Sequence, residues 1–162
     1  MSDRFPLLLD ARLRRLCGLA LCLVAALGAP AAPAQPGDEI VLQAREALRS
    51  KDKPRLADAR AAVNAAGHPL AMWVEYWELS NRLADAQQAE LDAFYARWPD
   101  TYVEDRLRND WLLELGKRRD WVNFRAEFPR FRMNDDREVT CYALLTRHLD
   151  GQDVRDAARE AW

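Results

Sequence analysis

From Asp38 to the end of the 162-residue chain, apolar side chains recur every three or four positions, the period of a helix buried on one face, and no segment sustains a period-two alternation. A chain patterned this way buries its apolar stripes by packing helix on helix, which predicts an all-α fold. Ile40, Val41, Ala44, Ala47 and Leu48 predict a first helix. Pro54, suited to a first helical turn, opens a second through Leu56, Ala59, Val63 and Ala66, and Gly67 stops it. A third carries Met72, Trp73, Tyr76, Trp77, Ser80 and Leu83 as a wide stripe, a fourth Leu91, Phe94, Tyr95 and Trp98, and a fifth Val103, Leu107, Trp111, Leu112 and Leu115. A short sixth runs from Trp121 to Phe128, a seventh aligns Val139, Tyr142, Ala143, Thr146 and Leu149, and an eighth begins near Asp153 with Val154, Ala157, Ala158 and Ala161. Asp85 with Gln88, Thr101 with Glu104, and Asp135 with Glu138 have capping-box spacing, and Asp153 can cap the last helix.

A repeat underlies these helices. Pro69, Pro99 and Pro129 stand thirty residues apart, and each follows an alanine by three positions, at Ala66, Ala96 and Ala126. Phe94-Tyr95-Ala96-Arg97-Trp98-Pro99 aligns with Phe124-Arg125-Ala126-Glu127-Phe128-Pro129, and Asp105-Arg106 and Asp136-Arg137 follow at nearly the same offset. Proline cannot continue a helix and disfavours helical geometry just before it, so it ends the second helix of a pair at a fixed place. The expected architecture is a superhelical solenoid of helix-turn-helix pairs, similar to tetratricopeptide arrays, in which each pair buries one face by stacking on the next.

The first thirty-four residues follow different rules. Arg12, Arg14 and Arg15 precede an apolar run from Leu16 to Ala29, and Ala32-Pro33-Ala34 supplies the small residues of a cleavage site, so residues 1–34 are expected to be a secretory signal cut between Ala34 and Gln35. The run is short for a membrane span, so no stable membrane anchor is expected. Export is expected to place residues 35–162 in the periplasm. Losing four basic and two acidic residues from the totals of 24 and 26 leaves 20 against 24, a net charge of -4 with no footprint for nucleic acid. Cys17 and Cys22 leave with the signal, and Cys141 remains as a single thiol on an apolar helical pattern, expected to be a small buried hydrophobe. The eighth helix reaches Trp162 with no terminating Gly or Pro and no polar cap, so the chain is expected to be the front of a longer protein.

Candidate chemistry is sparse. His68, in a Gly-His-Pro turn, and His148, near a helix end, have no local His or Cys at metal-ligand spacing, and no Gly-rich phosphate loop occurs, so no metal and no cofactor is expected. Glu75 and Glu78 lie among aromatics, Glu104 and Asp105 in a helical first turn, and Asp135 and Asp136 before another; caps, first-turn charges and solvated helix faces account for them without catalysis. Glu75, flanked by Trp73, Tyr76 and Trp77, is the most suggestive as a catalytic group. Trp73, Trp77, Trp98 and Trp111 are read first as core. Aromatic rings also stack on the apolar faces of sugars, which makes Glu75, Trp73 and Trp77 the candidate glycan contacts. Lys117-Arg118-Arg119 is read as a solvated helix end that complements the helix dipole.

Four stretches carry a resemblance. His68-Pro69-Leu70-Ala71-Met72-Trp73-Val74-Glu75-Tyr76-Trp77-Glu78-Leu79 opens it. Phe94 to Pro99 follow, with Asp105-Arg106-Leu107-Arg108 and Trp111-Leu112; then come Gly116-Lys117-Arg118-Arg119-Asp120-Trp121 and Asp136 to Leu144. In this order they resemble the N-terminal part of soluble lytic murein transglycosylases. The resemblance implies an exported superhelical, U-shaped or ring-forming scaffold. In that family a C-terminal lysozyme-like domain cleaves peptidoglycan through a Glu in an E-S motif, with G-L-M-Q downstream. The 162 residues hold neither motif, so no catalytic residue carries over and the chain is expected to be inactive alone. The implied partners are peptidoglycan and the family's catalytic domain. A free-standing periplasmic adaptor that binds a protein partner is the alternative reading of the same helices.

Overall fold

The computed structural model describes residues 37–161; the expected signal segment and the Ala34–Gln35 cleavage site lie outside the described residues. Eight α-helices make up the described part: α1 (Asp38–Ser50), α2 (Lys53–Ala65), α3 (Ala71–Asn81), α4 (Gln88–Arg97), α5 (Tyr102–Arg118), α6 (Trp121–Glu127), α7 (Arg137–Leu149) and α8 (Arg155–Ala161). Short 3-10 turns follow α3 at Leu83–Asp85 and α6 at Phe128–Arg130. The described residues are all-α, and none of their helices is long and apolar enough to cross a membrane.

Side-chain caps start five of the helices. Asp52 accepts from the Arg55 amide and Asp120 from the Asn123 amide, while Thr101 accepts from Glu104 and Asp153 from Arg155. Two expected caps are displaced by one or two residues. Asp136, not Asp135, receives the Glu138 and Val139 amides at the start of α7. At α4 the cap position is Gln87, whose amide donates to Glu90, whereas Asp85 turns away to an ion pair with Lys53. Each of the three spaced prolines lies just past the end of an even-numbered helix, Pro69 after α2, Pro99 after α4 and Pro129 after α6.

Two apolar clusters hold the helices together. Ala44, Ala47, Leu56, Ala59, Val63, Ala71 and Val74 join α1, α2 and α3. The larger cluster runs from Leu79 to Ala143, and Trp98 packs against both. Leu91, Leu107, Leu112 and Phe124 are fully buried, each worth roughly 1.5–3 kcal/mol relative to exposure. α1 packs on α2 and α3, α2 on α3, α3 on α5, α5 on α6 and α7, and α7 on α6 and α8. The odd-numbered helices therefore touch one another in succession.

The expected faces hold for α4 and α5 and fail for α3. Leu91, Phe94 and Tyr95 are buried on α4, and Val103, Leu107, Trp111, Leu112 and Leu115 on α5. On α3 the buried residues are Ala71, Val74, Glu75, Glu78 and Leu79, while Met72, Trp73, Tyr76 and Trp77 are only half-buried. The reason is position: α3 meets α1 and α2 on one side and α5 on the other. Its large rings cover those flanks, and the centre takes smaller and hydrogen-bonded side chains.

Gly116 marks a close approach between α5 and α7. A Cβ there would lie 2.3 Å from the Tyr142 ring of α7, so glycine is what lets that ring lie on α5. Gly116→Ala is expected to cost about 1–3 kcal/mol by overpacking, read as a lower urea midpoint with an unchanged m-value.

Candidate functional site

Glu75 was the residue most suggestive of catalysis, and the fold turns it inward. It is 6 % exposed, and its carboxylate accepts from Asn64 Nδ2 at 2.6 Å, from Trp98 Nε1 at 2.6 Å and from Arg97. Three donors from α2 and the end of α4 occupy both oxygens of one α3 side chain. Glu78, one turn on and equally buried, receives Arg60 at 3.2 Å and the Arg82 guanidinium, which also reaches Glu90 at 2.7 Å. The Arg82 hydrogen bond, followed by the Gln87 amide, holds the Glu90 carboxyl below the usual carboxylate range. A solvated face for Glu75 and Glu78 is thus corrected to a buried, cation-paired one. An acid catalyst needs an oxygen aimed at a substrate, and these oxygens are aimed at the scaffold.

A second network repeats the arrangement with the signs reversed. Arg108 of α5, 3 % exposed, donates to Glu127 at the end of α6 at 2.6 Å and to Glu104 one turn back. Burial works against the guanidinium charge, but the Glu127 and Glu104 hydrogen bonds outweigh it and raise its pKa. Arg132 closes the far side, reaching Glu104 at 2.8 Å and Asp100 at 2.6 Å, while the Arg132 and Met133 amides donate to Asp105. Arg97 and Glu127 are thirty residues apart, as are Glu78 and Arg108. In one pair the second helix supplies the cation, and in the next it supplies the carboxylate.

The Tyr95 ring lies under the Arg108 guanidinium at 4.2 Å to its centroid, and burial, reinforced by the Glu127 charge, pushes its phenol up. His68 serves the turn between α2 and α3. Its Nδ1 accepts from the Leu70 amide at 3.1 Å, which leaves Nε2 to donate to Asp38 at 3.0 Å. No group of three or more His, Cys, Asp or Glu among the described residues is arranged to hold a metal ion. Lys117, Arg118 and Arg119 are exposed at the end of α5, where Arg118 also donates to the Leu83 and Ala84 carbonyls.

Three surface features remain. A groove of about 180 Å³ lies between Arg60, Glu75, Leu79, Glu90, Phe94 and Arg97. Cys141 is exposed rather than buried, because the face of α7 that packs on α5 is the one through Val139, Ala143 and Thr146; the thiol instead lines an apolar depression of about 290 Å³ with Leu144, Leu145, His148, Val154 and Ala158. The third is aromatic. Trp73 contacts Tyr76 edge-on at 6.2 Å and Tyr102 at 6.1 Å with a 38° tilt, and Tyr102 is 62 % exposed. The Tyr76 hydroxyl donates to Asp110 at 2.8 Å, and burial together with that carboxylate pushes the phenol up to about 12.

Of the three expected glycan contacts, the structure brings only Trp73 to this patch. Trp77 packs against the α1–α3 cluster, and Glu75 belongs to the interior. Tyr102, Arg106 and Asp110 were not anticipated, although their i, i+4, i+8 spacing puts them on one stripe of α5.

Glu75→Gln is expected to destabilise the fold by about 1–3 kcal/mol, because an amide cannot accept from all three donors. Arg108→Leu is expected to cost about 3–5 kcal/mol by leaving carboxylates buried and unpaired, and more than Arg132→Leu at a half-exposed position; urea titration reads all three. The lowered Glu90 pKa contributes stability that is full above about pH 4.3 and is lost as pH falls through the folded-state value. Glu90→Gln is accordingly expected to reduce the fall in urea midpoint between pH 5 and pH 3.

No family model matches the chain, and comparisons with the curated proteins and with the solved structures find no match.

Proposed function

We propose that residues 37–161 are a non-catalytic scaffold of the cell envelope: a superhelical stack of helix-turn-helix pairs, of the kind that precedes the catalytic domain in soluble lytic murein transglycosylases, with peptidoglycan as its ligand. The observation that carries this reading is the succession of contacts between odd-numbered helices, α1 with α3, α3 with α5 and α5 with α7. A solenoid stacks the first helix of each pair on the first helix of the next. The prolines past α2, α4 and α6 support the same thirty-residue unit.

A scaffold role agrees with where the carboxylates go. Glu75, Glu78, Glu104, Asp105 and Glu127 are all buried against basic or amide donors, which makes them parts of the frame rather than acids facing a sugar. Export by residues 1–34 to the periplasm belongs to this reading and supplies access to the ligand. The family resemblance supplies its identity.

The apolar depression beside Cys141 favours a second reading, an adaptor that takes a protein partner at α7 and α8. Purified sacculi separate the two. The scaffold reading expects the chain to co-sediment with protein-stripped sacculi, and its staying in the supernatant overturns that reading and leaves the adaptor. On murein zymograms no cleared band is expected, and a cleared band would falsify the non-catalytic assignment.

A further inference from the structure

The exposed aromatic patch on α3 and α5 has the chemistry of a sugar-binding surface. Tyr102, the first residue of α5, is 62 % exposed although it is a large ring, and it sits against the half-buried Trp73. Nothing in the hydrogen-bonding of the fold requires an aromatic there: Thr101 makes the cap, and Val103 and Leu107 make the core contact. Beyond Tyr102 the same stripe continues with Arg106 and Asp110, about 12 Å along the helix.

The polar end of the stripe is incompletely closed. Asp110 Oδ2 accepts from the Tyr76 hydroxyl, but Oδ1 lies 3.8 Å from the Arg106 guanidinium, beyond hydrogen-bond distance. The side chains remain 42 % and 20 % exposed, Arg106 and Asp110 respectively, so a hydroxyl can lie between donor and acceptor. Their charges cancel. The patch is therefore aromatic at one end and polar without net charge at the other, which suits an uncharged pyranose, with an apolar ring face and hydroxyl edges, better than a polyanion or an acidic peptide.

We propose that Trp73, Tyr76, Tyr102, Arg106 and Asp110 form a glycan-contact site in which a pyranose ring of an N-acetylated strand stacks on Tyr102 and Trp73 and hydrogen-bonds Arg106 and Asp110. The choice of an N-acetylated strand rests on the peptidoglycan reading above. Glu75 and Trp77 take no part in it.

The test uses the full chain, with chitotetraose titrated calorimetrically and protein-stripped sacculi in a co-sedimentation assay. Tyr102→Ala and Trp73→Ala are expected to weaken chitotetraose binding about tenfold, the scale of one lost aromatic contact, and to shift protein from pellet to supernatant. Tyr102→Trp is expected to keep binding, and Val122→Ala, at another exposed apolar position, to leave it unchanged. Circular dichroism checks that Tyr102→Ala stays folded, as its exposure leads one to expect. If the wild-type chain sediments with sacculi and both alanine variants do so equally well, the site is overturned while the peptidoglycan reading stands. If the wild-type chain binds neither chitotetraose nor sacculi, both are overturned.

Discussion

A carboxylate inside a stack of helices has to be met by donors from its neighbours, and Glu75 shows how much of the fold that requirement organises. Its partners come from α2 and from the end of α4, so one side chain ties three helices together. It sits where the two apolar clusters meet, beside Trp98, which packs on both. Removing water from such a group is costly, and the cost is offset only while every donor stays in place. The interaction specifies one arrangement of α2, α3 and α4 rather than adding generic adhesion. Apolar contact alone tolerates small slips of one helix past another; a carboxylate with three aimed donors does not.

The same requirement separates frame from surface. Glu75, Glu78, Glu104 and Glu127 are drawn inward to arginines of their own or the preceding pair. What remains outside is correspondingly selective: a tilted aromatic pair, an open Arg106–Asp110 couple and the depression beside Cys141. These exposed features are what the interior has not consumed.

Much of the architecture was legible from spacing. The eight helices, the buried faces of α4 and α5 and the prolines past the even-numbered helices follow from local rules, because period and backbone chemistry act within one element. The misreadings share a different cause. Which side of α3 is innermost depends on its having neighbours on both flanks, and neither Glu75 nor Trp73 carries that information alone. Cys141 was misplaced because the buried face of α7 runs through Val139, Ala143 and Thr146, and Cys141, two residues past Val139, lies on the opposite side of the helix. The shift from Asp85 to Gln87 reflects a competing partner, Lys53, for Asp85, and Asp136, the cap in place of Asp135, is also held by Asn109 of α5. Tyr102, Arg106 and Asp110 were visible as a stripe, but their relation to Trp73 and Tyr76 exists only once α3 and α5 are packed.

The reversal of sign between the Glu75–Arg97 and Arg108–Glu127 contacts bears on which helix can dock where. Repeated helices of similar shape invite mispairing, in which a second helix docks on the wrong first helix, a known failure of repeat proteins. Here such an exchange would press Arg97 toward Arg108 and set Glu127 among Glu75 and Glu78, with like charges confined away from water. Phe94 and Phe124 are shared by both second helices and cannot discriminate. Polarity can: in the fold Arg97 meets a carboxylate and Glu127 meets a guanidinium, and neither could take the other's place without setting like charges together.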